Sequence, residues 1–318
     1  MKVSPSLIYS NFRYGNIKRH TNPLNPVLTD KNKKARVQFC LSMLEEDSLP
    51  HDPTFKSMEN VIHIDEKWFN MTRKNEKYYL LPNEEDPYRT CKSKNFVTKV
   101  MLLAAIARPR FDVEGKEIFS GKIGIFPFIT KLPAKRSSVN RAAGTMETKA
   151  MTSVKREIVR SVLINNVVPV ILEKWPREDA NSIIYIQQDN AKTHIDFNDK
   201  EFCEAVCQPA NSPDLNVLDL DFLRAIDSLK YQEAPRTTEE LVCAVEKAYQ
   251  IFSSGLSNRI FLTLQSCMKA IMEVRGCNNY KIPHMKKFVL ERYDQLPSQL
   301  KCDAKLYKDV MMDLIFEM

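Results

Sequence analysis

Three aspartates sit where apolar segments end. Asp65 closes the run Val61-Ile62-His63-Ile64-Asp65. Asp189 follows Ile183-Ile184-Tyr185-Ile186-Gln187-Gln188. Asp219 lies near the start of a helical stretch, in Ser212-Pro213-Asp214-Leu215-Asn216-Val217-Leu218-Asp219. An aspartate at the C-terminal end of a strand has its side chain at the rim of a sheet, where sites form in open α/β folds. If the two strands are neighbours, Asp65 and Asp189 face each other. Two ionised carboxylates that close repel, unless a divalent cation lies between them. Hard oxygen ligands select Mg2+ or Mn2+ over Zn2+. Each residue also has a plain structural use. Asp65 can bridge Lys67, Asp189 and Asn190 can make a turn, and Asp219 can be the acidic position of a capping box opened by Asn216.

The rest of the composition narrows the setting. The chain has 318 residues, 43% of them hydrophobic and 27% charged, which predicts roughly two domains. The longest apolar run, Val100 to Ala107, is far too short to span a bilayer. No signal-peptide stretch opens the sequence, so the expectation is a soluble intracellular globular protein with no membrane partner. The eight cysteines form no C-x-x-C pair. Cys203 and Cys207, four apart, have no His or second Cys pair nearby, which predicts reduced thiols rather than a zinc site.

A net charge of +7 is unevenly spread. Residues 1–40 hold eight Lys or Arg against the single acid Asp30, and residues 89–150 hold thirteen against four acids. Two such segments point to a polyanion partner, while the simpler alternative is a pair of solvated faces.

Several elements must position the aspartates. Val61–Asp65, Tyr78–Leu81, Val97–Ala107, Lys122–Ile129 and Ile183–Ile186 read as strands. Thr29 or Asp30 caps a helix through Ala35, Val37, Phe39, Leu41 and Leu44, ended by Pro50 and Pro53. Residues 151–174 have helical spacing, and helical periodicity dominates from Val217 onward, through Thr237–Phe252 and Arg259–Val274. The pattern predicts an α/β domain with a mixed sheet and a helical C-terminal region.

Read together, His63–Phe69 (HIDEKWF), CKSKNF, Gly121–Phe126 (GKIGIF), PAKRSS, Gln187–His194 (QQDNAKTH) and Asn211–Leu220 (NSPDLNVLDL) resemble the plant-type branch of the mariner-like DNA transposases. The resemblance covers most of residues 18–235. It implies an RNase H-like catalytic domain, a mixed sheet flanked by helices, over residues 58–235. A helix-turn-helix remnant with a linker helix would occupy 1–57, and a helical region 236–318. The implied metal-binding and catalytic triad is Asp65, Asp189 and Asp219, holding two Mg2+ or Mn2+ ions for phosphoryl transfer on double-stranded DNA. Glu66, Lys67, Asn190 and His194 would surround it. Lys18, Arg19, Lys92, Lys94, Lys135, Arg136 and Arg141 would contact DNA. A homodimer acting in the nucleus is the implied setting.

Two departures bear on activity. Only 29 residues separate Asp189 from Asp219, about ten fewer than the resemblance implies, which at ~3.3 Å per residue is most of one strand. The expectation is a sheet one strand short, or a substitute strand at Val206-Cys207-Gln208, with Asp219 the loosest of the three. Ser4–His20 resembles only the last helix of the family's DNA-recognition unit, and alone that supplies phosphate contacts with little sequence readout. The sequence therefore predicts a truncated transposase with weak or no cut-and-paste activity; the alternative is a non-enzymatic DNA-binding protein derived from one.

Overall fold

The apolar run at Val61 folds as β1 (Val61–Asn70) and continues five residues past Asp65. Its partner explains the extension. In the computed structural model, β2 (Lys99–Ala107) runs antiparallel to β1 from Ile62 opposite Ala107 to Asn70 opposite Lys99. That ladder overrides the weak strand preference of Glu66 and Lys67. Asp65 therefore lies in mid-strand, opposite Ala104, not at a strand end. The structure describes residues 4–16, 25–72, 85, 97–137, 139, 141–179, 182–195, 199 and 205–316; the strand expected at Tyr78–Leu81 lies outside them.

A short hairpin, β3 (Arg110–Phe111) and β4 (Glu117–Phe119), leads to β5 (Lys122–Pro127), which pairs antiparallel with β2. A second hairpin, β6 (Ile129–Pro133) and β7 (Met146–Ala150), follows. Then β8 (Tyr185–Gln188) adds to β1 in parallel, and β9 (Ala205–Cys207) adds in parallel to β8. The five-stranded order is β5-β2-β1-β8-β9. The outer strand is thus present as a three-residue substitute, one residue earlier than expected. Likewise β8 is shifted two residues beyond Ile183–Ile186.

Helices α1 (Pro5–Arg13) and α2 (Asp30–Ser42) precede the sheet, and the Thr29 hydroxyl caps α2 by accepting the Asn32 N–H. The expected helix over 151–174 begins only at α3 (Arg156–Val162). It passes through a wide turn at Leu163–Val167 and resumes as α4 (Val168–Lys174). The cause is Pro169, which has no N–H to give the Asn165 carbonyl. The C-terminal helices are α5 (Leu223–Lys230), α6 (Thr238–Ile251), α7 (Ser254–Glu273), α8 (Lys287–Arg292) and α9 (Ala304–Phe316).

Alternation along the strands divides the core. Val61, Phe69, Val100, Leu102, Ala104 and Ile106 face α2, α5, α6 and α7, in a cluster with members from Val37 to Val310. Ile62, Ile64, Leu103 and Ala105 face α3, α4 and Trp175. Asp65 shares the first face with Lys67, and Glu66 points to the second. A bulge in β5, where Ile123 is the extra residue opposite the Ala105–Ile106 step of β2, interrupts the β2–β5 ladder. The buried Tyr249 hydroxyl of α6 donates to the Ala105 carbonyl there at 2.8 Å, so the bulge leaves no orphaned acceptor at that residue.

His63 is a cost built into this core. It is 1% exposed, its ring stands edge-on to Phe261 at 5.4 Å, and neither nitrogen has a partner. Burial pushes its pKa down to about 3, so it stays neutral in the folded chain. Below pH 6.5 the unfolded chain takes up a proton that the folded one refuses, so this residue lowers stability as pH falls towards 3. Replacing His63 by Leu should remove about 2 kcal/mol of the loss between pH 7 and pH 5. Urea unfolding of wild type and variant at both pH values checks this; parallel losses would refute it.

Candidate active site

The parallel register of β1 and β8 sets the first pair. Val61 is level with Tyr185, Ile62 with Ile186 and His63 with Gln187, so two further steps bring Asp189 alongside Asp65. The third carboxylate arrives from the far side of the chain. Asn216 donates from Nδ2 to Asp65 Oδ2 at 3.0 Å, while its Oδ1 accepts the Leu218 N–H at 3.0 Å. Its carbonyl accepts the Asp219 N–H at 3.2 Å. One asparagine thus caps the turn that carries Asp219 and holds Asp65. That turn, Leu218–Phe222, is a wide helical turn anchored by the buried Leu218, Leu220 and Phe222.

Electrostatics record the crowding. Burial, then the charges of Asp219, Glu66 and Asp189, push the Asp65 carboxyl up to about 8, against the Glu66 N–H that it accepts at 2.8 Å. Asp219 is raised too, by partial loss of hydration and by Asp189, although Lys67 pulls it down. The residue is exposed as a whole, so the shift reflects its inner edge. Asp189 behaves oppositely. The His194 hydrogen bond lowers it, burial opposes, and the Ala191 N–H at 2.8 Å lowers it further.

His194 links the two faces of β1. Its Nδ1 is 2.7 Å from Asp189 Oδ1 and its Nε2 is 2.7 Å from Glu66 Oε2. Burial disfavours its charge, but the bonds to Asp189 and Glu66 prevail and raise its pKa to about 11. It is an imidazolium that donates from both nitrogens. Glu66 Oε1, buried, has no partner. Asn190 donates to the Gln208 carbonyl at 2.8 Å and so ties the loop after β8 to the end of β9.

Several supporting residues had no signal in the sequence. Gln187 Nε2 donates to the Leu215 carbonyl at 3.0 Å, and Gln208 Nε2 donates to the Ser212 carbonyl. Both fix the loop ahead of Asp219. The strongest tie is Arg36 of α2, fully buried, which forms a two-pronged pair with Asp214 at 2.7 and 2.6 Å. Its Nε donates to the Gly276 carbonyl at 2.9 Å, and the Tyr280 hydroxyl donates to Asp214 at 2.6 Å. Gly276 has φ +82°, and a β-carbon there would collide with the Lys33 carbonyl. Helix α2, the loop and the end of α7 are locked together two residues from Asn216.

Of the residues expected on DNA, Lys18, Arg19, Lys92 and Lys94 lie outside the described residues. Lys135 and Arg136 are exposed beyond β6 at the hairpin tip. Arg141 is committed internally, to Glu147 and to the Arg136 carbonyl at 3.1 Å. The hairpin turns it back on its own tip loop and the adjoining start of β7. Cys203 also lies outside the described residues.

Solved structures share this arrangement of elements. A Mos1 transposase paired-end complex with left transposon end matches with TM-score 0.58 and 17% identity, over 86% of this chain and 71% of that one. A pre-cleavage Mos1 transpososome matches with TM-score 0.59 and 15% identity, over 87% and 72%. The catalytic domain of Mos1 mariner transposase matches with TM-score 0.52 and 14% identity, over 81% of this chain and all of that one. The fold is RNase H-like. No protein-family model matches the sequence, and neither does any curated protein, so the likeness is one of fold.

The donor set of this site is of the kind that suits a hard cation, since it consists of carboxylate oxygens and the charges of Asp219, Glu66 and Asp189 crowd Asp65. Among the described residues no three His, Cys, Asp or Glu are placed together so that they could hold a metal ion. Because the loop is held through a buried ion pair, Asp214→Asn should cost about 3–5 kcal/mol by leaving Arg36 uncompensated. The double change Arg36→Met with Asp214→Leu should cost less than the single one in urea unfolding; a larger loss in the double variant would contradict this account.

Proposed function

We propose that the chain is a mariner-like transposase of the plant-type branch, a polynucleotidyl transferase acting on double-stranded DNA through Asp65, Asp189 and Asp219. The observation that carries the reading is the convergence at Asp65. Asp189 comes level with it through the β1–β8 register, and Asn216 reaches it at 3.0 Å from the turn that bears Asp219. Related folds support it: solved Mos1 complexes are described as paired-end complexes with Mn and with Mg. A paired-end assembly is also the basis for expecting this chain to act as a homodimer; the nucleus is proposed only from its DNA substrate.

Asp65, Asp189 and Asp219 would hold Mg2+ or Mn2+, two ions in the full site. Such ions, when bound, activate water or a 3′-hydroxyl and stabilise the leaving oxygen of an in-line displacement. The protein's part is orientation. Asn216 fixes one oxygen of Asp65. His194 holds Asp189 by its carboxylate and its carbonyl, and neutralises Glu66 on the opposite face. Lys67 balances Asp219. Lys135 and Arg136 supply phosphate contacts from the hairpin tip.

Removing the crowded charge should reveal the site before any catalysis is measured. Asp65→Asn should melt higher than wild type without metal, because repulsion and burial both penalise the native carboxylate. Wild type should gain about 2.7 kcal/mol at a hundredfold excess of Mn2+ over its Kd, and Asp65→Asn and Asp189→Asn should gain nothing. A metal-induced shift that survives both changes would sink the assignment. Strand cleavage with Mn2+, on DNA bearing the element's ends, then tests turnover. Metal and DNA binding with no cleavage is the result expected of an inactive relic.

The hairpin tip makes a separate prediction. Neutralising Lys135 and Arg136 to Gln should weaken binding to all duplex sequences alike and reduce the log–log salt slope by about 2. Affinity measured from low to moderate KCl decides it; a slope equal to that of wild type would remove these residues from the interface.

A further inference from the structure

A third basic stretch lies outside both segments prominent in the sequence. Residues 281–292 hold four Lys or Arg against one acid, Glu291. With α5 and α7 they enclose a groove of 1140 Å³, lined by Arg224, Arg259, Lys286, Lys287 and Phe288 among others. Its lining includes Leu220 and Asp221, the next two residues after Asp219. The groove therefore opens beside the turn that carries the third carboxylate.

Its charges are unbalanced. Arg224 pairs with Asp221 at 2.5 Å, and Arg259 pairs with Glu291. Lys286 and Lys287 have no carboxylate partner among the described residues. Lys287 is half-buried, and burial together with the nearby Arg259 lowers its hold on its proton; a bound anion would relieve that repulsion. Phe288, 61% exposed, stands under two guanidinium groups, Arg259 at 5.5 Å and Arg292 at 5.4 Å. Stacking of this kind holds planar forks in place, so less rotamer freedom is lost when they meet phosphate oxygens.

We propose that this groove seats the sugar-phosphate backbone of duplex DNA next to the carboxylates, an inference that rests on the polynucleotide chemistry proposed above. Duplex DNA is favoured over an acidic protein segment for two reasons. The cations come from α5, α7 and the start of α8, a spread that suits a continuous line of phosphates. The groove is also lined by Leu220 and Asp221 of the turn that carries Asp219, so a backbone lying in it is held against that same turn.

The test uses the full chain with Lys286→Gln and Lys287→Gln together, and a control with Lys305→Gln and Lys308→Gln on α9, which removes the same charge elsewhere. Binding to a fluorescent mixed-sequence duplex is followed by anisotropy over a range of KCl. The groove variant should lose about 2 from the salt slope and at least tenfold in affinity near 0.1 M salt, while the control keeps the wild-type values. Equal melting temperatures exclude misfolding. A groove variant that binds DNA like wild type overturns the inference. So does one that loses binding to poly-L-glutamate while keeping DNA, which would assign the groove to an acidic protein. The carboxylate reading fails on a different measurement, the Mn2+-induced thermal shift, which the groove variant should retain.

Discussion

Like charges gathered in a half-buried place repel, and the architecture around Asp65 is organised to hold them against that repulsion. Water screens such pairs well and protein screens them less, so each carboxylate brought to the site must be restrained by something else. Asp189 has a full counter-charge in His194. Asp219 has the field of Lys67. Among the described residues Asp65 has only the neutral amide of Asn216 and one backbone N–H. The remaining imbalance sits on the residue at the centre, which is why that carboxyl holds its proton up to about pH 8.

The restraint is tertiary rather than local. The turn bearing Asp219 would not keep its place by its own hydrogen bonds, because nothing in a short capped turn specifies where it docks. Arg36 and Asp214 supply that, with the guanidinium fully buried and every prong of the pair satisfied. A buried pair of this kind is a poor source of net stability but a strong source of position, since any alternative docking strands a charge away from water. Gly276 lets α7 come close enough to α2 for its carbonyl to take the third guanidinium bond.

The short interval between Asp189 and Asp219 is accommodated in the same way. A three-residue β9 is enough to extend the sheet, because Gln208 continues its pairing by donating its N–H to the Gln188 carbonyl at 3.0 Å. Asn190, Gln187 and Gln208 then fasten the loops on either side. Side-chain amides do here what additional strand length would otherwise do. The basic surface divides similarly into used and free charges. Arg141 is spent on its own hairpin, whereas Lys135, Lys286 and Lys287 have no carboxylate partner among the described residues.

The sequence by itself determined the elements whose periodicity is strong and the side chains whose chemistry is local. The strands at Val61, Val100 and Lys122, the Thr29 cap, the C-terminal helices and the three aspartates as candidates all follow from apolar spacing and residue type. What it misjudged came from partners distant in the chain. Asp65 reads as a strand end because Glu66 and Lys67 are poor strand formers, and only the ladder with β2 carries the strand onward. Residues 151–174 read as one helix because periodicity does not register the missing N–H of Pro169. Arg36 reads as one more charge in a basic segment, although it is buried against an aspartate 178 positions away. Residue types and spacings encode which groups are present and which local structures they favour. Which carboxylate is crowded, which histidine is charged and which arginine is buried depend on distances and hydration that arise only when remote segments pack together.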